Sequence, residues 1–266
     1  MGVTRRDVLA GTAGFAVLGT VIAEEALGKP MSEDRSLELR QYTLRGGQRD
    51  TLISIFEKHF IEPQNALGAH VLGTFRDLDD PDRFVWIRSF ADMRARQMAL
   101  EAFYGGPVWQ AHRSEANATM IDSDNVLLLR PASPGQGFSD TASSNGGADA
   151  IIGVTIHYLG DVDAAQFVTF FHNTILPQLA AAGVQPIARL VTEESANNFP
   201  RLPIRERDRT FVWLARWPSL EHHDAFLSRF TGLSGWRDLA PEAILPALMR
   251  KPERLRLAPT QRSALR

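Results

Sequence analysis

The chain has 266 residues, with 29 Lys and Arg against 31 Asp and Glu and a formal net charge of −2. That near-balance gives no electrostatic basis for binding nucleic acid or an anionic surface. There is no cysteine, which excludes disulfide frameworks, thiolate metal sites and cysteine nucleophiles. A hydrophobic share of 44% is that of a globular protein, and the length suits one large domain or two of ordinary size.

The first predicted element is a leader. In "TRRDVLAGTAGFAVLGTVIA", Arg5 and Arg6 precede a mildly apolar run from Val8 to Ala23, with acidic Glu24 and Glu25 beyond. This is the charged, apolar, small-residue order of an export signal. The paired arginines followed by Asp7-Val8-Leu9 resemble a twin-arginine signal, with Val8 where phenylalanine is commoner. Cleavage is expected after Ala23 or, second, after Gly28. Arg5, Arg6 and Asp7 carry +1, so the mature chain would stand near −2 − 1 = −3. The apolar run is short for a membrane span, so the expectation is a periplasmic protein without one. Export of folded cargo fits a chain with no cysteine to oxidise.

Residues 37–130 then read as strand, helix, strand, strand, helix, strand. "LELRQYTL" (Leu37–Leu44) alternates as a strand, and Gly46-Gly47 turns the chain. From Arg49 to about Leu67, Leu52, Ile53, Phe56 and Phe60 recur at helical spacing, with Pro63 set to kink or end the helix. "HVLGTF", a turn and "FVWIRSF" (Phe84–Phe90) form a hairpin. Ala91–Tyr104 reads as a helix, a short segment runs through Trp109 and Ala118, and "NVLLLRP" is the closing strand. Residues 131–150, rich in proline, glycine and serine, read as a flexible linker.

Residues 151–258 repeat the plan: "IIGVTIHYL", a helix through Pro177, "PIARLVT", "FVWLARW" (Phe211–Trp217), a helix over Ser219–Phe230, and "RLRLAP", with a tail over 259–266. The offset is 177 − 63 = 114 early and 211 − 84 = 127 late, and 236 − 109 = 127 pairs Trp236 with Trp109. The 13-residue difference is an insertion in the second hairpin, Glu193–Arg209. It mixes Phe199, Leu202 and Ile204 with prolines and charges, so it reads as a docked loop capping the barrel mouth, as a partner surface, or as an extended hairpin loop with no partner.

Strand, helix, strand, strand, helix, strand is the ferredoxin-like plan. A sheet with helices on one face must bury the other, so the fold class is α+β: two tandem ferredoxin-like repeats packed as an α/β-barrel-like pseudo-dimer. Alternatively each half pairs with a half on another chain, giving a homo-oligomer. "LELRQYTLRGG", "EPQNALG", "FVWIRSF" and "GGPVWQAH" resemble the NIPSNAP family, within the wider dimeric α/β-barrel group, well over 37–130 and more loosely over 151–258. The resemblance implies ferredoxin-like halves pairing into a barrel. It implies no reaction: relatives include cofactor-free monooxygenases, haem enzymes and proteins without known chemistry.

Along the strands Glu38, Arg40 and Tyr42 share one face, as do Phe84, Trp86, Arg88 and Phe90. The expectation places the aliphatic faces under the helices and these aromatic-polar faces inside the barrel. There, with Trp213 from the second half, they would bind a small apolar or aromatic molecule. An arginine would hold a carboxylate or enolate, and Tyr42 would relay a proton. The competing reading pairs Glu38 with Arg40 or Arg88 as an internal ion pair. The matching second-half positions are read as Ile152, Val154, Ile156 and Ala215. The histidines lack metal-ligand spacing, and no cofactor or metal is expected. Three functions stay open: a small-molecule protein, including a cofactor-independent enzyme; a non-catalytic interaction or assembly module; and a haem binder through His157 or His172.

Overall fold

The computed structural model describes residues 35–138, 146–147, 149–229 and 239–266. The predicted leader with Arg5 and Arg6, positions 139–145 and 148 of the predicted linker, and 230–238 with Trp236 lie outside the described residues.

The first half runs β1 (Ser36–Leu44), α1 (Arg49–His59), α2 (Ile61–Ala66), β2 (His70–Asp77), β3 (Arg83–Phe90), α3 (Met93–Gly105), α4 (Pro107–Thr119) and β4 (Met120–Pro131). Pro63 cannot donate an N–H to the preceding turn, and the helix breaks just ahead of it, at Phe60. Asp92 caps α3 by accepting from the Ala95 N–H at 2.7 Å. The stretch read as a short segment is a full 13-residue helix, α4. Its only fully buried residues are Ala116 and Thr119, so it shows little apolar periodicity.

The second half runs β5 (Ile151–Tyr158), α5 (Ala164–Phe170), a π-helical turn (Phe171–Ile175), α6 (Leu176–Ala181), β6 (Pro186–Thr192), β7 (Thr210–Trp217), α7 (Leu220–Arg229), α8 (Leu245–Met249) and β8 (Glu253–Pro259). Pro177 lacks the N–H that would continue the α-helical ladder, and the turn before it widens into the π-turn.

The eight strands close into an antiparallel barrel in the order β1-β3-β2-β8-β5-β7-β6-β4. Within that ring β4-β1-β3-β2 and β8-β5-β7-β6 are the same ferredoxin-like order, so the α+β barrel anticipated from the strand pattern is the fold. Two short joints close it: Phe75, Arg76 and Asp77 pair with Pro259, Ala258 and Leu257, and Leu129, Arg130 and Pro131 pair with Thr192, Val191 and Leu190.

The two sheet faces are the reverse of the expectation. The barrel interior is aliphatic: Leu37, Leu39, Val85, Ile87, Leu127 and Leu129 meet Ile152, Val154, Ile156, Leu190, Val212 and Leu214 in one core. The aromatic-polar face of β1 and β3 looks outward, under the helices, where Tyr42, Phe84, Trp86 and Phe90 pack with Leu52, Phe56, Phe60, Leu100 and Phe103. An eight-stranded barrel is just wide enough for side chains to fill it, and medium aliphatics from both halves do so. Phe138 and Leu265, outside the strands, join this interior.

Gly73 is required by close approach. A Cβ there would meet the ring of fully buried Phe75, with Cε2 at 2.7 Å, and Leu265 Cβ at 3.2 Å. Gly73→Ala is therefore expected to lose about 1–3 kcal/mol through overpacking, read as a lower midpoint at unchanged slope in chemical denaturation.

Candidate functional site

Strand register assembles the site. In the β1–β3 ladder Glu38 lies opposite Arg88, Arg40 opposite Trp86 and Tyr42 opposite Phe84, all on the helix-covered face. The Glu38 carboxylate is the hub. Its Oε2 accepts from Arg40 Nη1 and Arg88 Nε, each at 2.8 Å, and its Oε1 from Arg96 Nε at 2.7 Å. Arg96 reaches down from α3. Arg88 Nη1 donates to Gln64 Oε1 of α2 at 2.7 Å, and Arg40 Nε to the Tyr42 hydroxyl at 2.9 Å. All four charged side chains are 0% exposed.

The electrostatics are unbalanced. Burial alone would raise the Glu38 carboxyl, but Arg88, Arg40 and Arg96 together hold it well below the usual carboxylate range. Burial pulls the Arg96 guanidinium down, with Arg88 and Arg40 adding to the effect and Glu38 opposing it. Burial also pushes Tyr42 up against the pull of Arg40, so it stays a phenol. One carboxylate faces three guanidiniums, 3 − 1 = +2 in a dry layer. Buried charge of this kind is costly unless paired and hydrogen-bonded. Part of it is met by ring faces: Arg88 lies 4.9 Å from the Trp86 centroid and Arg40 5.4 Å from that of Tyr42. Three buried donors, Arg40 Nη2, Arg96 Nη2 and Trp86 Nε1, have no hydrogen-bond partner among the described residues. Arg88 Nη2 lies 2.6 Å from Glu38 Oε2 but outside hydrogen-bonding geometry.

Glu38, Arg40, Tyr42, Trp86 and Arg88 are thus together as expected, but outside the barrel wall. Trp213 is not with them; it packs under the second half's helices against Phe171, 6.1 Å between centroids. The internal ion pair is present and larger than the strand pattern predicts, because Arg96 and Gln64 join it from the helices. Both carry a signal: Arg96 shares a helical stripe with Leu100 and Phe103, and Gln64 follows Phe60 by one turn, so each is a polar residue at a core position.

The second-half alignment also shifts by one residue. Trp86 pairs with Arg40 and Trp213 pairs with Thr155, so the counterparts of Glu38, Arg40, Tyr42 and Arg88 are Gly153, Thr155, His157 and Ala215. Ile152, Val154 and Ile156 face the barrel interior instead. His157 lies between Phe167 and Phe211, centroids 5.3 and 6.3 Å away, and His172 is exposed on the π-turn.

The 193–209 insertion crosses onto the first half. Asn198 Oδ1 and Asn197 Oδ1 accept from Arg96 Nη1 at 2.6 and 3.1 Å. Phe199 stacks on Tyr104 at 5.8 Å, and the Arg205 N–H donates to the Val126 carbonyl at 2.9 Å. Beneath this strap lies a cavity of about 320 Å³, lined by Leu127, Leu128, Asn197, Ile204 and Arg205 among others. Leu128 is the register partner of Glu38 on β4 and Asn197 bonds Arg96, so the cavity adjoins the arginine cluster.

Among the described residues no group of three or more His, Asp and Glu is placed to hold a metal ion, and no helix is long and apolar enough to cross a membrane.

Residues 37–134 match the NIPSNAP family model. A candidate monooxygenase from Lactobacillus acidophilus NCFM superposes over 85% of this chain and 94% of its own, with TM-score 0.52 and 12% identity. A second candidate monooxygenase, from Fusobacterium nucleatum subsp. nucleatum, covers 86% and 94% with TM-score 0.51 and 9% identity. At these identities the likeness is one of fold. A NIPSNAP family protein of unknown function from Agrobacterium tumefaciens strain C58 covers 37% of this chain and 89% of its own, with 19% identity and TM-score 0.35. No curated protein matches the chain.

Two stability measurements test the electrostatics. Glu38→Gln leaves three arginines unneutralised and is expected to cost about 3–5 kcal/mol at neutral pH. The Glu38 carboxyl is depressed in the folded state, so its contribution is full above its unfolded pKa and lost on acidification. The gap between wild type and variant should therefore narrow below about pH 4. His157 is pushed down to about 3, chiefly by burial and then by Arg254. The unfolded chain binds its proton first, so wild type loses up to about 1.4 kcal/mol per pH unit as pH falls below the ordinary histidine range. His157→Gln should remove that slope in denaturation curves taken between pH 6.5 and 4.

Proposed function

We propose that this chain, NIPSNAP-like over residues 37–134, is an exported small-molecule-binding protein. Its ligand is anionic and held by Arg40, Arg88 and Arg96 between the first-half sheet and helices. One observation carries the reading: a single buried carboxylate against three buried arginines, with donors on two of those arginines and on Trp86 left unpaired. Arginine forks match carboxylate and phosphate oxygens and keep their charge under burial. A bound anion neutralises the excess and completes the donor set.

The ligand site of this reading lies beside the barrel, in the layer that the 193–209 strap covers. The strap, which motivated an assembly-module reading, is docked on the chain's own first half. Tyr42 is the group suited to proton transfer. Its hydroxyl is bonded to Arg40 and remains protonated, so an enolate stabilised by the arginines would have an acid at hand. That makes cofactor-independent proton transfer next to the bound anionic group the reaction class to assay first.

The test is thermal unfolding with a panel of small anions. A true ligand at one hundred times its Kd stabilises by about 2.7 kcal/mol, and Arg88→Ala should abolish that increment. An unchanged increment in the variant would sink the assignment. Export is tested separately: Arg5→Lys with Arg6→Lys is expected to keep the chain in the cytoplasm of a host with a twin-arginine route, read by fractionation. Wild-type distribution in the variant would overturn it.

A further inference from the structure

We infer that the group captured by the arginine cluster is a compact dianion, a phosphate or phosphomonoester. The inference rests on the anion-site reading above and goes beyond it on charge and shape.

Charge comes first. The cluster carries +2 with Glu38 ionised. A monoanion leaves one positive charge uncompensated in a layer where all four side chains are fully buried; a dianion leaves none.

Shape follows from the hub. Arg40, Arg88 and Arg96 all bond the two oxygens of one carboxylate, which brings the three guanidiniums together around it. Trp86 lies against two of them, 5.6 Å from the Arg40 guanidinium and 4.9 Å from that of Arg88. Among the described residues Arg40 Nη2, Arg96 Nη2 and the Trp86 indole N–H are the donors at the cluster with neither a hydrogen bond nor an ion pair. A tetrahedral oxyanion presents acceptor oxygens in several directions within one small volume. A dicarboxylate, whose charges sit at opposite ends, does not.

The strap gives the third argument. Asn197 Oδ1 and Asn198 Oδ1 both accept from Arg96 Nη1. These neutral oxygens satisfy a hydrogen bond and leave the charge unmet, which makes them placeholders that an anionic oxygen outcompetes. The cavity of about 320 Å³ under the same strap, bordered by Asn197 and Leu128 but also by Glu193, Glu194, Glu206 and Asp208, gives an uncharged or cationic organic portion of a phosphomonoester a place adjoining the cluster.

The experiment is calorimetric titration of the full chain, in phosphate-free buffer at fixed ionic strength, with inorganic phosphate, phenyl phosphate, sulfate, acetate, chloride and succinate. Phosphate and sulfate are expected to bind at least tenfold tighter than acetate, chloride or succinate. Phosphate binding should strengthen as pH rises through its second ionisation while sulfate binding stays flat. Arg96→Ala should weaken phosphate at least tenfold, and Asn197→Ala with Asn198→Ala should tighten it by removing the placeholders. Should Arg96→Ala fail to fold, the asparagine double variant and the wild-type pH profile decide. Phenyl phosphate binding tighter than phosphate assigns the monoester, and the reverse assigns the free ion. Acetate or chloride binding as tightly as phosphate, with the signal lost in Arg88→Ala, overturns the dianion and leaves the anion site standing. Succinate binding tighter than phosphate overturns the compact shape. Absence of any anion binding overturns the site itself.

Discussion

The ion cluster on Glu38 ties three layers of the molecule together. Arg40 comes from the same strand, Arg88 from the paired strand, and Arg96 from helix α3. Arg88 extends the network to α2 through Gln64, and Arg96 extends it to the second-half strap through Asn197 and Asn198. A single carboxylate thus joins two strands and helix α3 directly, and helix α2 and the insertion through its arginine partners. Its low proton affinity follows from that crowding, since three guanidiniums outweigh the cost of its burial.

Such a cluster is not needed to hold this fold, and the second half supplies the control. The same strand order there is built with Gly153, Thr155, His157 and Ala215 at the corresponding positions. Trp217 Nε1 would lie 2.6 Å from a Cβ on Gly153, so ring packing occupies the space that the first half gives to Glu38. Replacing buried ion groups by well-packed apolar ones is often neutral or stabilising. A first half that buries four charged groups where the second has Gly153, Thr155, His157 and Ala215 therefore carries a cost that packing alone does not explain, and this asymmetry is what the proposed anion site accounts for.

Much of this was legible in the chain. The strand–helix order, both hairpins and the length of the insertion follow from periodicity, turn residues and the echo of "FVWIRSF" in "FVWLARW". What sequence could not settle was direction. β1 is buried on both faces, with Thr43 its one exposed residue, so alternation sorts its side chains into two sets without saying which set looks into the barrel. The 153/155/157 set was misassigned by one residue because "IIGVTIHYL" is apolar at nearly every position and offers no phase. Arg96 and Gln64 were overlooked because a polar residue on a helix reads as solvent-facing unless its apolar neighbours at one-turn spacing are weighed with it.

The closed barrel also dictates where a site can be. Its interior is shared by both halves and filled mainly with aliphatics, joined by Phe75 of β2, Phe138 from beyond β4 and Leu265. Polar chemistry placed there would face a dry core on every side. The outer face of β1 and β3 is different, because helices and a strap cover it. The strap's hold there includes the two asparagine contacts to Arg96, the Phe199–Tyr104 stack and the Arg205 link to β4. The second half therefore contributes the strap over a cluster whose charged groups all belong to the first, and Arg88 against Ala215 marks that asymmetry.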